Sequence, residues 1–200
     1  MFDFPQDLYT DVRIEDVYET KIIYHLGEIR ESKIRSYKAA FIRIFDGERW
    51  YYSSISNIEN IQSEIYALAS YANPNKNIYD NPIVKNLQIN REENISFGQN
   101  SISKIAMDKK HELLKRFFPL LDNNELIKNW KANYIDRKII KKFYSSKGAD
   151  VIFDTQLAGL SIGMEFVEEG KRLSESYQKA YDTFDKLCED LEEFKSYVKE

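Results

Sequence analysis

The segment KAAFIRIFDGERWYYSS, residues 38–54, limits the fold more than any other part of the sequence. Before Asp46, both alternating sets of residues are largely apolar, which predicts a strand that is covered on both faces. Asp46-Gly47 predicts the positive φ angles of a tight hairpin turn, and Arg49–Ser53 predicts the returning strand. Leu26-Gly27 predicts an earlier turn of the same kind. The chain is therefore predicted to contain a sheet built from hairpins.

A helix is predicted directly after this hairpin. Ser56 and Glu59 form a capping-box pattern, and apolar residues then recur at helical spacing from Ile58 to Ala72. Asn73-Pro74 ends the pattern, because proline disfavours helical geometry in the residue before it. The first part of the chain thus predicts strands followed by one helix.

The second half of the sequence repeats this order. Residues 158–176 parallel residues 39–54, and an apolar stripe from Tyr177 to Val198 predicts a long final helix. Such self-similarity indicates an internal duplication. We therefore predict an α+β protein with two β-sheet-then-helix units joined by a helical connector.

The predicted domain organisation is a single domain, residues 1–200. Its parts are a first β/α unit (1–75), a loop and connector helix (76–126) and a second β/α unit (127–200). Within the middle part, the Asn-rich residues 73–99 predict a loop with one short strand, Ile83–Ile89. Residues 101–121 predict the connector helix, with Pro119 in its last turn.

The composition limits the cellular compartment and the binding partners that we expect for this protein. The single cysteine excludes an intrachain disulfide and favours a reducing compartment. The N-terminus lacks the pattern of a signal peptide, and no apolar run approaches the roughly 20 residues that span a bilayer. The net charge of −4 disfavours nucleic acid as a partner. We expect a soluble, cytoplasmic protein that binds neither nucleic acid nor membrane.

His111-Glu112 has the first two residues of the zinc-peptidase signature H-E-x-x-H, on a predicted helix. A zinc site on one helix needs a second histidine about one turn away. The residues four and five positions later are instead Lys115 and Arg116, two cations that would repel the ion. We interpret His111 as a residue at the edge of an apolar face, and Glu112 as the partner of Arg116 in a surface ion pair.

No other motif predicts a catalytic centre. Cys188 lies in the apolar stripe of the final helix beside acidic residues, whereas a reactive thiolate needs an electropositive and partly exposed setting. The glycines form no phosphate-binding loop. The sequence therefore predicts no catalytic residue, no metal ligand and no cofactor within this chain.

The run Arg49-Trp50-Tyr51 is the candidate contact site for a peptide or a protein partner. Trp, Tyr and Arg are favoured at binding hot spots when they are exposed. Strand alternation places Trp50 on one face and Arg49 and Tyr51 on the other. One of those faces is expected to belong to the core, so Trp50 is predicted to be either core or contact.

The order of elements resembles the N-terminal domain of the TldD/PmbA family, zinc metallopeptidases once described as modulators of DNA gyrase. One match is residues 9–54 together with the helix Ile58–Ala72, where the family has a glycine turn and then a strand ending D-G-x-W. The other match is residues 133–167, similar to the family's later strand and turn. The chain departs from the pattern at Ala39-Ala40, where glycine is frequent in the family.

The resemblance implies a domain without a zinc site of its own. In the family, the H-E-x-x-x-H helix and the other zinc ligands belong to a C-terminal half, and this sequence ends at Glu200 before such a half. The N-terminal half helps to form homo- or heterodimers and admits peptide or unfolded protein substrate to the metal centre. We expect the same role here. The alternative is a free-standing, non-enzymatic protein- or peptide-binding module with the same fold.

Overall fold

A computed structural model describes residues 2–198 of the chain. Within these residues, seven strands form one sheet. The strands are β1 Tyr9–His25, β2 Glu28–Phe45, β3 Trp50–Ile55, β4 Arg91–Asn94, β5 Ile127–Ser145, β6 Asp150–Glu168 and β7 Lys171–Tyr181. Their order in the sheet is β3-β2-β1-β5-β6-β4, and β7 pairs with β6. β2 with β3 and β6 with β7 are antiparallel, whereas the short β4 runs parallel to β6.

The described residues also form six short α-helices and three 3₁₀ turns, the latter at Ile58–Asn60, Ile78–Asp80 and Ile102–Lys104. The α-helices are α1 Ile61–Ala69, α2 Pro82–Asn86, α3 Met107–Lys115, α4 Phe118–Asp122, α5 Phe184–Glu189 and α6 Leu191–Tyr197. The α+β class predicted from the sequence is confirmed. None of the helices in the described part of the chain is long and apolar enough to cross a membrane.

The predicted turns form where glycine supplies the required backbone angles. Leu26 and Gly27, with φ of 49° and 77°, connect β1 to β2, as the mirror-image hairpin turns require. In the next hairpin only Gly47 has a positive φ, 106°. There the Asp46 carboxylate accepts hydrogen bonds from the backbone N–H groups of Glu48 and Arg49 at 2.9 and 2.8 Å, which closes the turn.

The chain divides into two compact units, each assembled from separate stretches of sequence. The first unit contains the described residues up to Val17 together with Ser36–Ser96 and Ile139–Asp154. The second unit contains Tyr18–Arg35, Phe97–Lys138 and the described residues from Thr155 onward. Strands β1, β2, β5 and β6 therefore each contribute residues to both units. The order of three strands followed by helix occurs twice along the chain, and the internal duplication remains a prediction.

Each unit has its own apolar core. In the first unit, α1 packs Ile61, Ile65 and Leu68 against strand residues that include Val12 and Ile42. A second cluster in this unit consists of Tyr9, Phe45, Ile78 and Val84. The core of the second unit is larger. It combines residues of helices α3–α6 with strand residues such as Trp130 and Ile162.

Three segments differ from the predicted secondary structure. Residues 82–86 form α2 instead of a strand, because Asn81 caps the N–H of Ile83 and Pro82 occupies the first turn. The connector divides into α3 and α4, and Pro119 lies in the first turn of α4 instead of a last turn. Residues 177–181 belong to β7, so the final helical segment begins only at Phe184.

Candidate functional site

The β2–β3 hairpin places the three predicted contact residues on different surfaces of the first unit. Trp50 pairs with Phe45, and Tyr51 pairs with Ile44. Since successive residues of a strand point to opposite faces, Trp50 and Tyr51 are separated by the sheet. Arg49 lies at the end of the turn and is exposed.

Tyr51 makes packing and hydrogen-bond contacts within its own unit. Its ring packs against the apolar cluster that α1 covers, and its hydroxyl donates to Asp46 Oδ2 at 3.0 Å. Burial raises the pKa of Tyr51, and the hydrogen bond to Asp46 adds to this. The side chain therefore ties the strand to its own turn. That Arg49 and Tyr51 contact a partner stays a prediction.

Trp50 belongs to a row of aromatic rings on the opposite face. Its ring is stacked on Phe45 with centroids 4.7 Å apart and lies 6.4 Å from Tyr52 in a nearly parallel orientation. Tyr52 in turn stacks on Phe41 at 5.8 Å. Tyr52 is 56% exposed, whereas Trp50 and Phe41 are half-buried. Trp50 therefore serves both as a packing residue and as part of an accessible surface.

Arg43 fixes a positive charge within this row. Its guanidinium lies 4.8 Å from the centroid of the Trp50 ring, within the range of a cation–π contact. The Arg43 Nη2 and Nε atoms donate to the Asp11 carboxylate at 2.5–3.1 Å, and the Tyr9 hydroxyl donates to Asp11 Oδ2 at 3.1 Å. The hydrogen bonds to Asp11 raise the pKa of Arg43. Because Asp11 is fully buried, the Arg43 side chain is held in one position.

The same face of the first unit continues across β1, β5 and β6. The Arg13 guanidinium lies 5.8 Å from the centroid of the Phe143 ring, and the Lys141 ammonium lies 5.9 Å from that of Phe153. Lys141 also approaches Glu15 at 3.7 Å. Aromatic rings and cations thus alternate over this surface, which we call the open face. It consists of Arg13, Phe41, Arg43, Trp50, Tyr52, Lys141, Phe143 and Phe153.

The open face has the chemistry of a binding surface. Exposed aromatic rings can stack on planar groups, and the cations can pair with carboxylates or carbonyl oxygens of a bound chain. Among its rings, Tyr52 and Phe153 are exposed, whereas Phe41, Trp50 and Phe143 are half-buried. No nucleophile lies beside a general base among its eight residues.

His111 lies in the second unit, and both of its ring nitrogens are engaged. Nδ1 is 2.8 Å from the Tyr24 hydroxyl, and Nε2 is 2.9 Å from Ser32 Oγ. Burial lowers the pKa of His111, and the charge of Lys115 lowers it further. In the second histidine of the chain, His25, Nε2 is 2.8 Å from Asn129 Oδ1.

The residues of this chain do not fit the zinc site of a metallopeptidase. Both ring nitrogens of His111 and Nε2 of His25 face hydroxyl or amide groups. Across the described residues 2–198, no group of three His, Cys, Asp or Glu side chains could hold a metal ion.

Two further predictions concern α3 and α5. Arg116 Nη1 donates to the backbone oxygen of Cys188 at 2.9 Å, and within the described chain no ion pair joins it to Glu112. The Cys188 thiol is partly buried against the core of the second unit, and burial raises its pKa. The thiol is therefore held away from its reactive, deprotonated form.

Sequence reasoning missed most of the open face. The alternation in KAAFIRIF already placed Phe41, Arg43 and Phe45 on one side of a strand. That signal could have added Phe41 and Arg43 to Trp50. Arg13 and Phe143 come from strands distant in sequence, and only the sheet order brings them to the same surface.

Comparisons with known proteins bear on both sequence and fold. Residues 10–70 match the family model of PmbA/TldA metallopeptidase domain 1. A search of curated proteins finds no match. Three solved structures are similar in fold, at 12–15% sequence identity.

The first is a proposed modulator of DNA gyrase from Bacteroides thetaiotaomicron, with a TM-score of 0.64, 15% identity and coverage of 88% of this chain and 41% of that one. The second is a proposed modulator of DNA gyrase from Thermotoga maritima, with a TM-score of 0.66 and 12% identity. The match covers 96% of this chain and 43% of that one. The third is TldE from Thermococcus kodakarensis, with a TM-score of 0.69 and 13% identity. The match covers 98% of this chain and 43% of that one. The chain thus spans about two fifths of the length of these proteins. The resemblance to the N-terminal domain of the TldD/PmbA family is therefore confirmed, by sequence over residues 10–70 and by fold over nearly the whole chain.

Proposed function

We propose that this chain is a non-catalytic, TldD/PmbA-like domain whose open face binds a peptide or an unfolded protein segment in extended form. The observation that supports this proposal is the row of stacked rings with Arg43 fixed among them. A peptide in extended form presents side chains alternately, so every second residue can lie between the rings. In a TldD/PmbA-like peptidase this contact would serve substrate admission.

The role is one of binding, and hydrolysis would belong to a separate catalytic half that carries the zinc. The resemblance to a metallopeptidase first domain supports this division. Subunit association is the second part of the proposal, and it rests on the resemblance alone. Light scattering of the purified chain over a range of concentrations tests it, and a monomer at every concentration would contradict it.

Trp50 provides the binding assay. The chain has two tryptophans, and Trp130 is buried with its Nε1 donating to Asp122 at 2.9 Å. A peptide on the open face should therefore shield the fluorescence of Trp50 from acrylamide and leave that of Trp130 unchanged. The probe is a ten-residue peptide rich in Phe and Leu, with blocked termini.

The variant Tyr52→Ser removes the most exposed ring of the row. We expect it to weaken peptide binding about tenfold, because truncating one hot-spot side chain costs more than 1 kcal/mol. Tyr71→Ser is the matched control, since Tyr71 is 73% exposed and lies outside the open face. Equal binding by Tyr52→Ser and the unmodified chain would refute the proposal. Equal weakening by both variants would refute it as well.

The alternative is a free-standing binding module with the same fold. It uses the same open face and needs no catalytic partner. Co-purification of the native protein from its source separates the two. A zinc-containing catalytic half, on the same polypeptide or on a bound one, supports the peptidase role.

A further inference from the structure

Arg13 differs from the other two cations of the open face. Arg43 and Lys141 each lie beside a carboxylate of β1. Across the described residues 2–198, no carboxylate forms an ion pair with Arg13. The Arg13 side chain is exposed, so its N–H donors are accessible from solvent.

The two carboxylates nearest to Arg13 along β1 are held by other cations. Asp11 and Glu15 lie two positions before and after Arg13, so all three side chains point to the same face. Both Asp11 oxygens accept hydrogen bonds from Arg43, at 2.5–3.1 Å. Glu15 Oε1 lies 3.7 Å from Lys141 Nζ. Neither carboxylate is therefore directed toward the Arg13 guanidinium.

Phe143 holds the Arg13 guanidinium over its ring, 5.8 Å from the ring centroid. A guanidinium that lies over a ring keeps its N–H donors available to an acceptor. Arg13 also acts on the Tyr9 hydroxyl, but burial and the charge of Asp11 raise the pKa of that group, so it stays neutral. Because Phe143 restricts the side chain before a ligand arrives, binding at Arg13 loses less conformational entropy.

The charges of the open face leave one positive charge in excess. Its three cations face the two carboxylates Asp11 and Glu15, which gives a net charge of about +1. The whole chain has a net charge of −4. The open face is thus a locally positive region of an acidic protein, and Arg13 carries its unpaired charge.

A carboxylate side chain matches the donors of Arg13. It is planar and can accept two parallel hydrogen bonds from one guanidinium. A backbone carbonyl group could accept a hydrogen bond but would leave the charge unpaired. A single-stranded nucleic acid would bring successive phosphates, and most of them would find no unpaired cation on this face.

The sheet order gives the spacing between Arg13 and the stacked rings. β1 is two strands away from β3, which is about 10 Å at the usual separation of neighbouring strands. An extended peptide advances about 3.3 Å per residue, so four residues span about 13 Å. Side chains four positions apart also point to the same side of an extended chain. A peptide can therefore place one side chain on Trp50 and another at Arg13.

We propose that Arg13 selects peptide segments in which an acidic side chain lies four positions from an aromatic one. The inference rests on the proposed function, because the open face must first bind a peptide. It adds the class of peptide that is bound. The acidic side chain pairs with Arg13, while the aromatic side chain stacks on the row that contains Trp50.

The test compares two labelled nine-residue peptides with blocked termini. One has a central glutamate and the other a central glutamine, and both have phenylalanine at the first and last positions, so the spacing of four holds for either direction of binding. Fluorescence anisotropy gives both affinities for the 200-residue chain in 50 mM NaCl. We expect the glutamate peptide to bind about fivefold more tightly, the upper end of what an exposed ion pair contributes. In 1 M NaCl this preference should fall below about twofold, because salt screens exposed charges.

The variant Arg13→Gln tests whether the preference belongs to this residue. The ratio of the two affinities should fall below about twofold, and this ratio does not depend on how much of the variant is folded. Arg172→Gln is the matched control. It removes one exposed cation outside the open face, so the net charge changes equally, and the ratio should stay near five.

Equal affinities of the two peptides for the unmodified chain would overturn the selectivity of Arg13 and leave the proposed function intact. An unchanged ratio in Arg13→Gln, or a similar loss of the ratio in Arg172→Gln, would overturn it as well. If neither peptide binds, the proposed function fails and the inference fails with it.

Two further ligands distinguish other sources of negative charge. A glutamine peptide with a free C-terminal carboxylate that binds as tightly as the glutamate peptide would assign Arg13 to the end of a chain. A nine-residue thymidine oligonucleotide that binds more tightly than the glutamate peptide would assign it to phosphate. Either result would contradict the proposal, and we expect both ligands to bind more weakly than the glutamate peptide.

Discussion

The substitution Lys110→Met tests the buried ion pair of the second unit. Lys110 Nζ lies 2.7 Å from Asp136 Oδ2, and both side chains are fully buried. The ammonium also donates to Thr20 Oγ1 at 2.9 Å and to the Tyr18 hydroxyl at 3.2 Å. On the other side, the Tyr134 hydroxyl donates to Asp136 Oδ2 at 2.7 Å. Methionine keeps most of the lysine volume and removes only the charge and its donors.

The expected cost follows from what remains around Asp136. Breaking a buried ion pair by removing one partner typically costs about 3–5 kcal/mol, because the other charge stays buried without compensation. Two donors to Asp136 survive in Lys110→Met, namely the Thr20 backbone N–H and the Tyr134 hydroxyl. We therefore expect a loss near the lower limit, about 3 kcal/mol. That is a large share of the roughly 5–15 kcal/mol that stabilises a typical folded domain.

A double-mutant cycle measures the interaction itself. Asp136→Leu should cost a similar amount, since it leaves Lys110 with only neutral partners. The double variant Lys110→Met/Asp136→Leu leaves no unpaired charge, although the Tyr134 hydroxyl and the Thr20 N–H lose an acceptor at about 1–3 kcal/mol each. Its loss should therefore be clearly smaller than the sum of the two single losses.

Urea unfolding at pH 7, followed by circular dichroism, gives the required free energies of unfolding. Lys109→Met is the matched control, because Lys109 is the exposed neighbour on the same helix and should change stability by no more than about 0.5 kcal/mol. A loss below about 1 kcal/mol in Lys110→Met, or additive losses in the cycle, would refute the reasoning.

Two further predictions concern a turn and a titration. Gly47→Ala should cost about 1–3 kcal/mol in thermal unfolding, because its φ is 106° and a Cβ would lie 2.8 Å from Asn75 Nδ2. The stability of Gly163→Ala should be within about 1 kcal/mol of that of the unmodified chain, since its Cβ would meet nothing within 4 Å. Equal losses of stability at the two positions would be inconsistent with this account. Burial and the charge of Lys115 lower the pKa of His111 from 6.5, so its neutral form stabilises the fold fully above pH 6.5 and less as the pH falls through the folded pKa. When the pH is lowered from 7 to 5, the urea midpoint of His111→Gln should therefore decrease by less than that of the unmodified chain. An identical decrease of the midpoint in both proteins would argue against this role.

The hairpins could be predicted from the sequence because their signals are local. Gly27 and Gly47 lie where the backbone needs positive φ, and apolar alternation marks the strands beside them. Both hairpins are found where the sequence predicted them. The α+β class followed from these short-range patterns.

The strand at residues 177–181 shows why a local pattern can mislead. Tyr177 and Tyr181 are four positions apart, which places them on one side of a helix. Four is also an even number, so the same spacing puts both residues on one face of a strand. In β7 the Tyr181 hydroxyl donates to Asp190 Oδ1 at 2.9 Å, a contact with the following helical segment. Periodicity alone could not distinguish the two structures.

The open face depends on long-range pairing that the sequence does not encode locally. Arg43 and Asp11 are 32 positions apart in the sequence. Trp50 was identified because tryptophan is a frequent hot-spot residue. Its stacking partners and its cation depended on the register of β2 with β3.

The interleaving of the two units has a consequence for synthesis on the ribosome. The first unit includes Ile139–Asp154, so most of the chain must leave the ribosomal tunnel before that unit can be complete. Until then, β1 lacks its neighbour β5 in the sheet, so the backbone N–H and C=O groups along that edge of β1 are unpaired. A nascent chain that stalls before residue 139 should therefore be a substrate for chaperones and proteases, even though it already contains the whole segment 10–70 by which the family is recognised.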